Sequence, residues 1–113
     1  MKRQTPKSIS AQKLNEWLQC LSTRPYLVDV REKEELRIAA FPANVIHLPL
    51  SQMQSWSESI FEKLPIDRPL VVICHAGIRS ENFGTWLLDQ DFGYEVWNLA
   101  GGIDSWSLDV DRS

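Results

Sequence analysis

A run of four apolar residues in the second half of the chain constrains the fold more than any other segment. Leu70, Val71, Val72 and Ile73 follow one another without a polar residue and end at Cys74. A strand that is apolar on both faces is expected in the middle of a parallel sheet, which helices cover on both sides. A helical pattern begins soon after Cys74, so this part of the chain predicts a strand, a tight loop and a helix.

The rest of the chain alternates between strand and helix patterns, which is typical of an α/β domain with a parallel sheet. Ser10 is a good N-cap for a first helix, and Glu32 to Ala40 predicts a short second one. The predicted strands are Tyr26 to Val30, Val45 to Leu48, Leu70 to Ile73 and Glu95 to Leu99. The residues expected to face inward from the helices are Leu14, Trp17, Leu18 and Leu21, then Met53, Trp56, Ile60 and Leu64, then Phe83, Trp86 and Leu87 between Ser80 and Gln90. A short helical piece is expected around Trp106.

Length and composition indicate an ordinary soluble protein with one domain over residues 1–113. Residues 1–7 and 109–113 are expected to be flexible ends. Hydrophobic residues make up 43% of the chain and charged residues 24%, and the net charge of −3 gives no reason to expect nucleic-acid binding. No run approaches the roughly 20 apolar residues of a membrane helix, and the first residues do not resemble a secretory signal. We therefore expect neither a nucleic acid nor a membrane as partner.

Cysteine and histidine are too few and too scattered for a disulfide framework or a metal site. The chain has Cys20 and Cys74, with His47 and His75 as its two histidines. The cysteines form no Cys-x-x-Cys pair, and no metal-ligand spacing is present. This pattern favours a reducing, cytoplasmic compartment and predicts no metal. Cys20 is expected to pack in or beside the core, next to the apolar stripe of the first helix.

Cys74 is the candidate nucleophile. It lies at the predicted carboxyl end of a strand, where ligands of parallel sheets bind, and just before a helix N-terminus. Backbone N–H groups and the helix dipole favour an anion there, so the thiolate form is favoured as well. Arg79 adds a fixed positive charge, and Gly77 permits unusual backbone angles within the loop. These features predict an active site that works on an anionic substrate.

Four stretches together resemble the rhodanese-like, or single-domain thiosulfate sulfurtransferase, family. They are Leu27 to Glu32, Val45 to Leu50, Cys74 to Ser80, and Asn98 to Ile103 followed by Trp106. The resemblance implies a single rhodanese-like domain with a mostly parallel sheet of about five strands and helices on both faces. It implies transfer of a sulfane sulfur from a small anionic donor such as thiosulfate, through a Cys74 persulfide, to a thiol, cyanide or a protein acceptor. No cofactor is implied.

The resemblance also implies roles for neighbouring residues. The persulfide-binding loop comprises His75, Ala76, Gly77, Ile78, Arg79 and Ser80, and the pair Asp29 and Arg31 is expected to support it. The residues themselves predict that His75 faces water, because no carboxylate is near it in sequence. Ser80 is interpreted equally well as a helix cap or as a hydrogen-bond partner of the loop.

The sequence departs from the family pattern in two places. His75 stands where many thiosulfate-preferring members have Arg, so the preferred donor stays open. Ala40 and Phe41 replace the family's usual Gly-His pair, which is interpreted as a difference between subfamilies.

Three alternatives remain. The chain could be a persulfide relay fed by a protein donor, or a non-catalytic binding module with the same fold. It could also be a phosphatase or an arsenate reductase, but related phosphatases have one more residue between Cys and Arg than the four that separate Cys74 from Arg79. The shorter loop favours a sulfurtransferase, and no obvious resolving cysteine supports an arsenate reductase.

Overall fold

A five-stranded parallel sheet organises the computed structural model, which describes residues 4–110. The strands are β1 (Lys7–Ile9), β2 (Tyr26–Asp29), β3 (Ile46–His47), β4 (Leu70–Ile73) and β5 (Val96–Leu99). Their order across the sheet is β1-β5-β4-β2-β3, and every adjacent pair is parallel. The predicted α/β class with a parallel sheet is confirmed, and β4 lies at the centre of the sheet.

Within residues 4–110, six helices connect and cover the strands. They are α1 (Ala11–Leu18), α2 (Lys33–Ile38), α3 (Met53–Trp56), α4 (Ile60–Lys63), α5 (Ile78–Asp89) and α6 (Gly102–Asp109). Two short 3₁₀ turns, Leu50–Gln52 and Ser57–Ser59, flank α3. The Ser10 side chain accepts a hydrogen bond from the Lys13 N–H, as predicted for the N-cap of α1.

Side chains of β4 alternate between the two faces of the sheet and so enter two separate cores. Leu70 and Val72 pack in the core that α3, α4 and α5 cover. Val71 and Ile73 pack in the other core, which α1 and α6 cover. All four residues are fully buried, which explains why this strand is apolar throughout.

The first strand is the element that the sequence pattern did not predict. Lys7, Ser8 and Ile9 pair in parallel with Trp97, Asn98 and Leu99 of β5. Flexibility was predicted for residues 1–7 and 109–113. Residues 1–3 and 111–113 lie outside the described residues, and for the remainder the flexibility stays a prediction.

Two details near α1 differ from the sequence interpretation. The helix ends at Leu18, so Leu21 is exposed instead of extending the apolar stripe. Cys20 follows the helix and is also exposed, so the expectation that it packs in or beside the core was wrong. None of the helices in the described part of the chain has the length and apolarity that a membrane crossing requires.

Candidate active site

Cys74 is positioned by the register of β4. It follows Ile73 directly and continues the face that carries Leu70 and Val72, so its side chain joins the core beneath α5. The residue is 1% exposed. It lies at the carboxyl end of the central strand, the edge at which parallel sheets bind ligands.

Two hydrogen bonds hold the Cys74 sulfur within the loop. The Gly77 N–H points at Sγ with an N···S distance of 3.0 Å, and the Ser80 hydroxyl lies 3.2 Å from Sγ. Gly77 has φ of +99°, a left-handed conformation that glycine adopts without strain. It is also the N-cap residue of α5, so the sulfur lies at the positive end of a twelve-residue helix. Two hydrogen-bond donors and the N-terminus of a helix thus direct partial positive charge at the sulfur.

Asn98 connects the loop to β5. Its Nδ2 donates to the Gly77 carbonyl at 3.0 Å, and its Oδ1 lies 2.5 Å from the Ser80 hydroxyl. Asn98 and Ser80 are both buried. The amide therefore contacts both residues that contact the Cys74 sulfur, a role that the sequence reasoning did not assign to it.

The start of α6 holds the loop from its other side. The Ile103 N–H donates to the Cys74 carbonyl at 2.9 Å, and the Asp104 N–H donates to the His75 carbonyl at 3.1 Å. Gly102 has φ of +60°, and a Cβ at this position would overlap the Cys74 and His75 carbonyls. The Gly101-Gly102 pair thus lets two segments of backbone approach closely beside the nucleophile.

Arg79 forms a bidentate ion pair with Glu35 of α2. The distances are 2.9 Å from Nη1 to Oε2 and 2.6 Å from Nη2 to Oε1. The hydrogen bonds from Arg79 lower the pKa of Glu35 to about 2, and the Glu35 carboxylate raises the pKa of Arg79. The sequence predicted a fixed positive charge at this point, available to an anionic substrate. The structure instead places the guanidinium against a carboxylate that stays ionised at neutral pH.

The remaining loop residues lie on the surface. His75, Ala76 and Ile78 are exposed. The predicted exposure of His75 is correct, although it does have a carboxylate near it in space: Nε2 lies 3.4 Å from Asp104 Oδ2. Both side chains are more than half exposed, so the pair is a weak, solvent-screened contact.

Asp29 and Arg31 form a buried ion pair, as expected. Arg31 Nη2 lies 2.9 Å from Asp29 Oδ2, and Nε also donates to the same carboxylate. Arg31 Nη1 lies 3.5 Å from the Glu35 carbonyl. The pair therefore contacts the loop only indirectly, through Glu35 of α2, which in turn binds Arg79. His47 Nε2 lies 2.7 Å from the Arg31 carbonyl and holds the backbone at that residue.

Ser80 belongs to the site, whereas Cys20 lies on a different segment. Ser80 bonds within the loop, and Gly77 occupies the cap position of α5. Cys20 is exposed and follows α1, on the segment that leads to β2. Among residues 4–110, no three His, Cys, Asp or Glu side chains are grouped so that they could hold a metal ion.

A parallel α/β domain with a buried cysteine on a six-residue loop is the class that this fold and site define. The family model for the rhodanese-like domain matches residues 10–109. This chain belongs to the rhodanese-like domain family.

Curated relatives agree with this assignment. A chloroplastic rhodanese-like/PpiC domain-containing protein 12 of Arabidopsis thaliana is 35% identical over 98% of this chain. The thiosulfate sulfurtransferase GlpE of Coxiella burnetii is 32% identical over 71% of this chain and 69% of its own length. The chain spans only 37% of the length of the Arabidopsis protein, so it corresponds to one part of that relative.

Solved structures show the same fold. A rhodanese-related protein from Thermoplasma volcanium superimposes with a TM-score of 0.72 at 31% identity and covers 92% of this chain and 93% of its own. A rhodanese-like domain protein from Staphylococcus aureus gives a TM-score of 0.72 at 26% identity, with 88% and 90% covered. A Rhodopseudomonas palustris protein described as a possible tyrosine phosphatase also matches, at 18% identity and a TM-score of 0.69. At that identity the match shows the fold alone. The fold does not by itself distinguish a sulfurtransferase from a phosphatase.

Proposed function

We propose that this protein is a sulfurtransferase in which Cys74 carries a sulfane sulfur as a persulfide. The observation that carries the proposal is the arrangement around Sγ, where the Gly77 N–H, the Ser80 hydroxyl and the start of α5 favour a thiolate. The relatives named thiosulfate sulfurtransferase GlpE support the same chemistry. A reducing, cytoplasmic setting suits a protein that works with a free thiolate.

The reaction has two steps. The Cys74 thiolate attacks the outer sulfur of an anionic donor such as thiosulfate. The S–S bond of the donor breaks, sulfite leaves with the bonding electron pair, and Cys74 becomes a persulfide anion. A thiophilic acceptor, such as cyanide, a thiol or a protein thiolate, then attacks the outer sulfur. The S–S bond to Cys74 breaks, and the thiolate returns with its electron pair.

The loop residues have distinct parts in this scheme. Gly77 and Ser80 stabilise the negative charge on sulfur in the resting thiolate, which is also the leaving group of the second step. Neither step needs an organic cofactor or a metal ion. His75, Ala76 and Ile78 are the exposed residues of the loop, so donor and acceptor are expected to approach the sulfur from their side. Asp29 with Arg31 fixes the segment that carries Glu35.

Thiocyanate formation from thiosulfate and cyanide tests the proposal. We expect turnover in the wild type and in Cys20→Ser, and none in Cys74→Ser. Turnover that survives in Cys74→Ser would overturn the assignment. A wild-type protein that takes up sulfur yet does not release it to cyanide would favour the relay interpretation, in which only a protein acceptor is served.

Loop length provides the test against a phosphatase. With four residues between Cys74 and Arg79, we expect no hydrolysis of p-nitrophenyl phosphate. Insertion of one glycine after Gly77 should weaken sulfur transfer, because the N–H groups would no longer converge on the sulfur. If the insertion variant has a normal circular dichroism spectrum and the wild-type transfer rate, loop length does not select sulfur transfer over phosphate hydrolysis here.

A further inference from the structure

The charges around the Cys74 loop do not favour a doubly charged donor. Arg79 is the cation of the loop, and both of its terminal nitrogens are bonded to the Glu35 carboxylate. Because the two charges of an ion pair largely cancel at a distance, the pair attracts an approaching anion far less than a free arginine would. Glu35 thus removes the attraction that the loop sequence alone predicts.

The Glu35 carboxylate is positioned by hydrogen bonds within its own segment as well as by Arg79. Its Oε2 accepts a hydrogen bond from the Glu32 N–H at 2.7 Å, as part of the capping box at the start of α2. Arg31 Nη1 also approaches its carbonyl. The carboxylate is therefore fixed by its own helix, so a donor would have to compete with a preorganised partner for Arg79.

Other carboxylates also lie near the loop. Glu32 is within electrostatic range of Arg79 and contributes to its raised pKa. Asp104 lies beside His75 of the same loop. Arg31, the other cation that acts on Glu35, is itself paired with Asp29. Glu35 and Glu32 thus lie close to an arginine that is already paired, Asp104 adds a further carboxylate beside the loop, and the field of these groups opposes each additional negative charge on a donor.

We propose that Glu35 is a specificity-determining residue that screens Arg79 and selects sulfane donors with a low negative charge over dianions such as thiosulfate. This inference rests on the proposed function. It deepens that function by naming the class of donor that the site prefers, a monoanionic or uncharged sulfane compound. Glu35 acts through Arg79 and the local field and takes no part in the chemistry.

The test compares two donors of similar shape that differ by one charge. Thiosulfate carries two negative charges, and methanethiosulfonate, in which a methyl group replaces one oxygen, carries one. Attack on methanethiosulfonate releases methanesulfinate in place of sulfite, and both donors leave the same persulfide on Cys74. The measured quantity is the ratio of kcat/KM for thiosulfate to kcat/KM for methanethiosulfonate, because intrinsic differences between the donors cancel when variants are compared.

Glu35→Gln is the informative variant, since glutamine can keep the capping box while it loses the charge. We expect the ratio to rise about threefold or more, as removal of a unit charge close to the donor favours the dianion. Glu34→Gln removes the same charge from an exposed neighbour on α2 and is the matched control. Its ratio should stay close to that of the wild type. A purely structural role for Glu35 would change both donors alike and leave the ratio fixed.

Ionic strength gives a second readout that needs no variant. Between about 0.01 M and about 1 M salt the screening length falls from roughly 30 Å to 3 Å. We expect the wild-type ratio to rise with salt and the rise to be smaller in Glu35→Gln. A wild-type ratio that falls with salt, or a Glu35→Gln ratio equal to that of Glu34→Gln, would overturn the inference. If neither donor forms a persulfide on Cys74, by intact mass, the proposed function fails first and this inference with it.

Discussion

The Ser80 hydroxyl lies 2.5 Å from Asn98 Oδ1 and has one proton to donate. The orientation of the Asn98 amide is fixed, because its Nδ2 donates to the Gly77 carbonyl and its Oδ1 must therefore face Ser80. The same hydroxyl lies 3.2 Å from Cys74 Sγ. Ser80 can donate to the amide or to the sulfur at any one time, so the rotation of this hydroxyl decides which of the two it stabilises.

Replacement of Ser80 by alanine should slow the reaction of Cys74 with iodoacetamide at neutral pH by about tenfold, because a charged sulfur loses a hydrogen-bond donor. The measurement requires a Cys20→Ser background, since Cys20 is exposed and would react as well. Ser55→Ala, at an exposed position of α3, is the matched control and should react at the wild-type rate. An unchanged rate in Ser80→Ala would show that the hydroxyl does not stabilise the thiolate.

The buried pair of Asp29 and Arg31 should dominate the stability of the segment between β2 and α2. Asp29→Leu leaves Arg31 buried without its carboxylate, and we expect a loss of about 3–5 kcal/mol in the free energy of unfolding. The double variant Asp29→Leu with Arg31→Met removes both charges and should lose less. Urea unfolding monitored by tryptophan fluorescence measures both values. A double variant no more stable than the single one would contradict the predicted penalty for an unpaired charge.

Acid should weaken the contact between α2 and the loop. The pKa of Glu35 is lowered to about 2 from an ordinary value of 4.5, chiefly by the hydrogen bonds from Arg79. A lowered pKa in the folded state contributes stability that is fully present above about pH 4.5 and is lost as the pH falls toward 2. We expect the wild type to exceed Glu35→Gln in stability above pH 4.5, and the difference to shrink through this range.

Urea midpoints at a series of pH values check this expectation, with Glu34→Gln as the control for a general loss of charge. A difference between wild type and Glu35→Gln that stays constant from neutral pH to pH 2 would mean that the Arg79 contact does not stabilise the folded state.

The central part of the fold could be predicted from sequence because local patterns determine it. The apolar run of β4 requires burial on both faces, and the cysteine, glycine and arginine that follow it mark a loop before a helix. β1 could not be predicted in this way. It has three residues, only Ile9 is buried, and it becomes a strand through pairing with β5, which is distant in sequence.

The missed parts of the site share a similar cause. Glu35 was expected to lie on an ordinary short helix, and its partner Arg79 is 44 residues away in the chain. Asn98 donates to the carbonyl of Gly77, which is 21 residues away in the chain. Asp104 and His75 are also far apart in the sequence, and only the fold brings them together. The error at Cys20 has a local cause. The helical pattern was extended past Leu18, where α1 actually ends.

Intact mass spectrometry after incubation with thiosulfate tests the central claim most directly. We predict that the wild type and Cys20→Ser gain the mass of one sulfur atom, that cyanide removes it, and that Cys74→Ser gains nothing. Peptide mapping should place the added sulfur on Cys74. Sulfur retained by Cys74→Ser, or located on Cys20, would contradict the account.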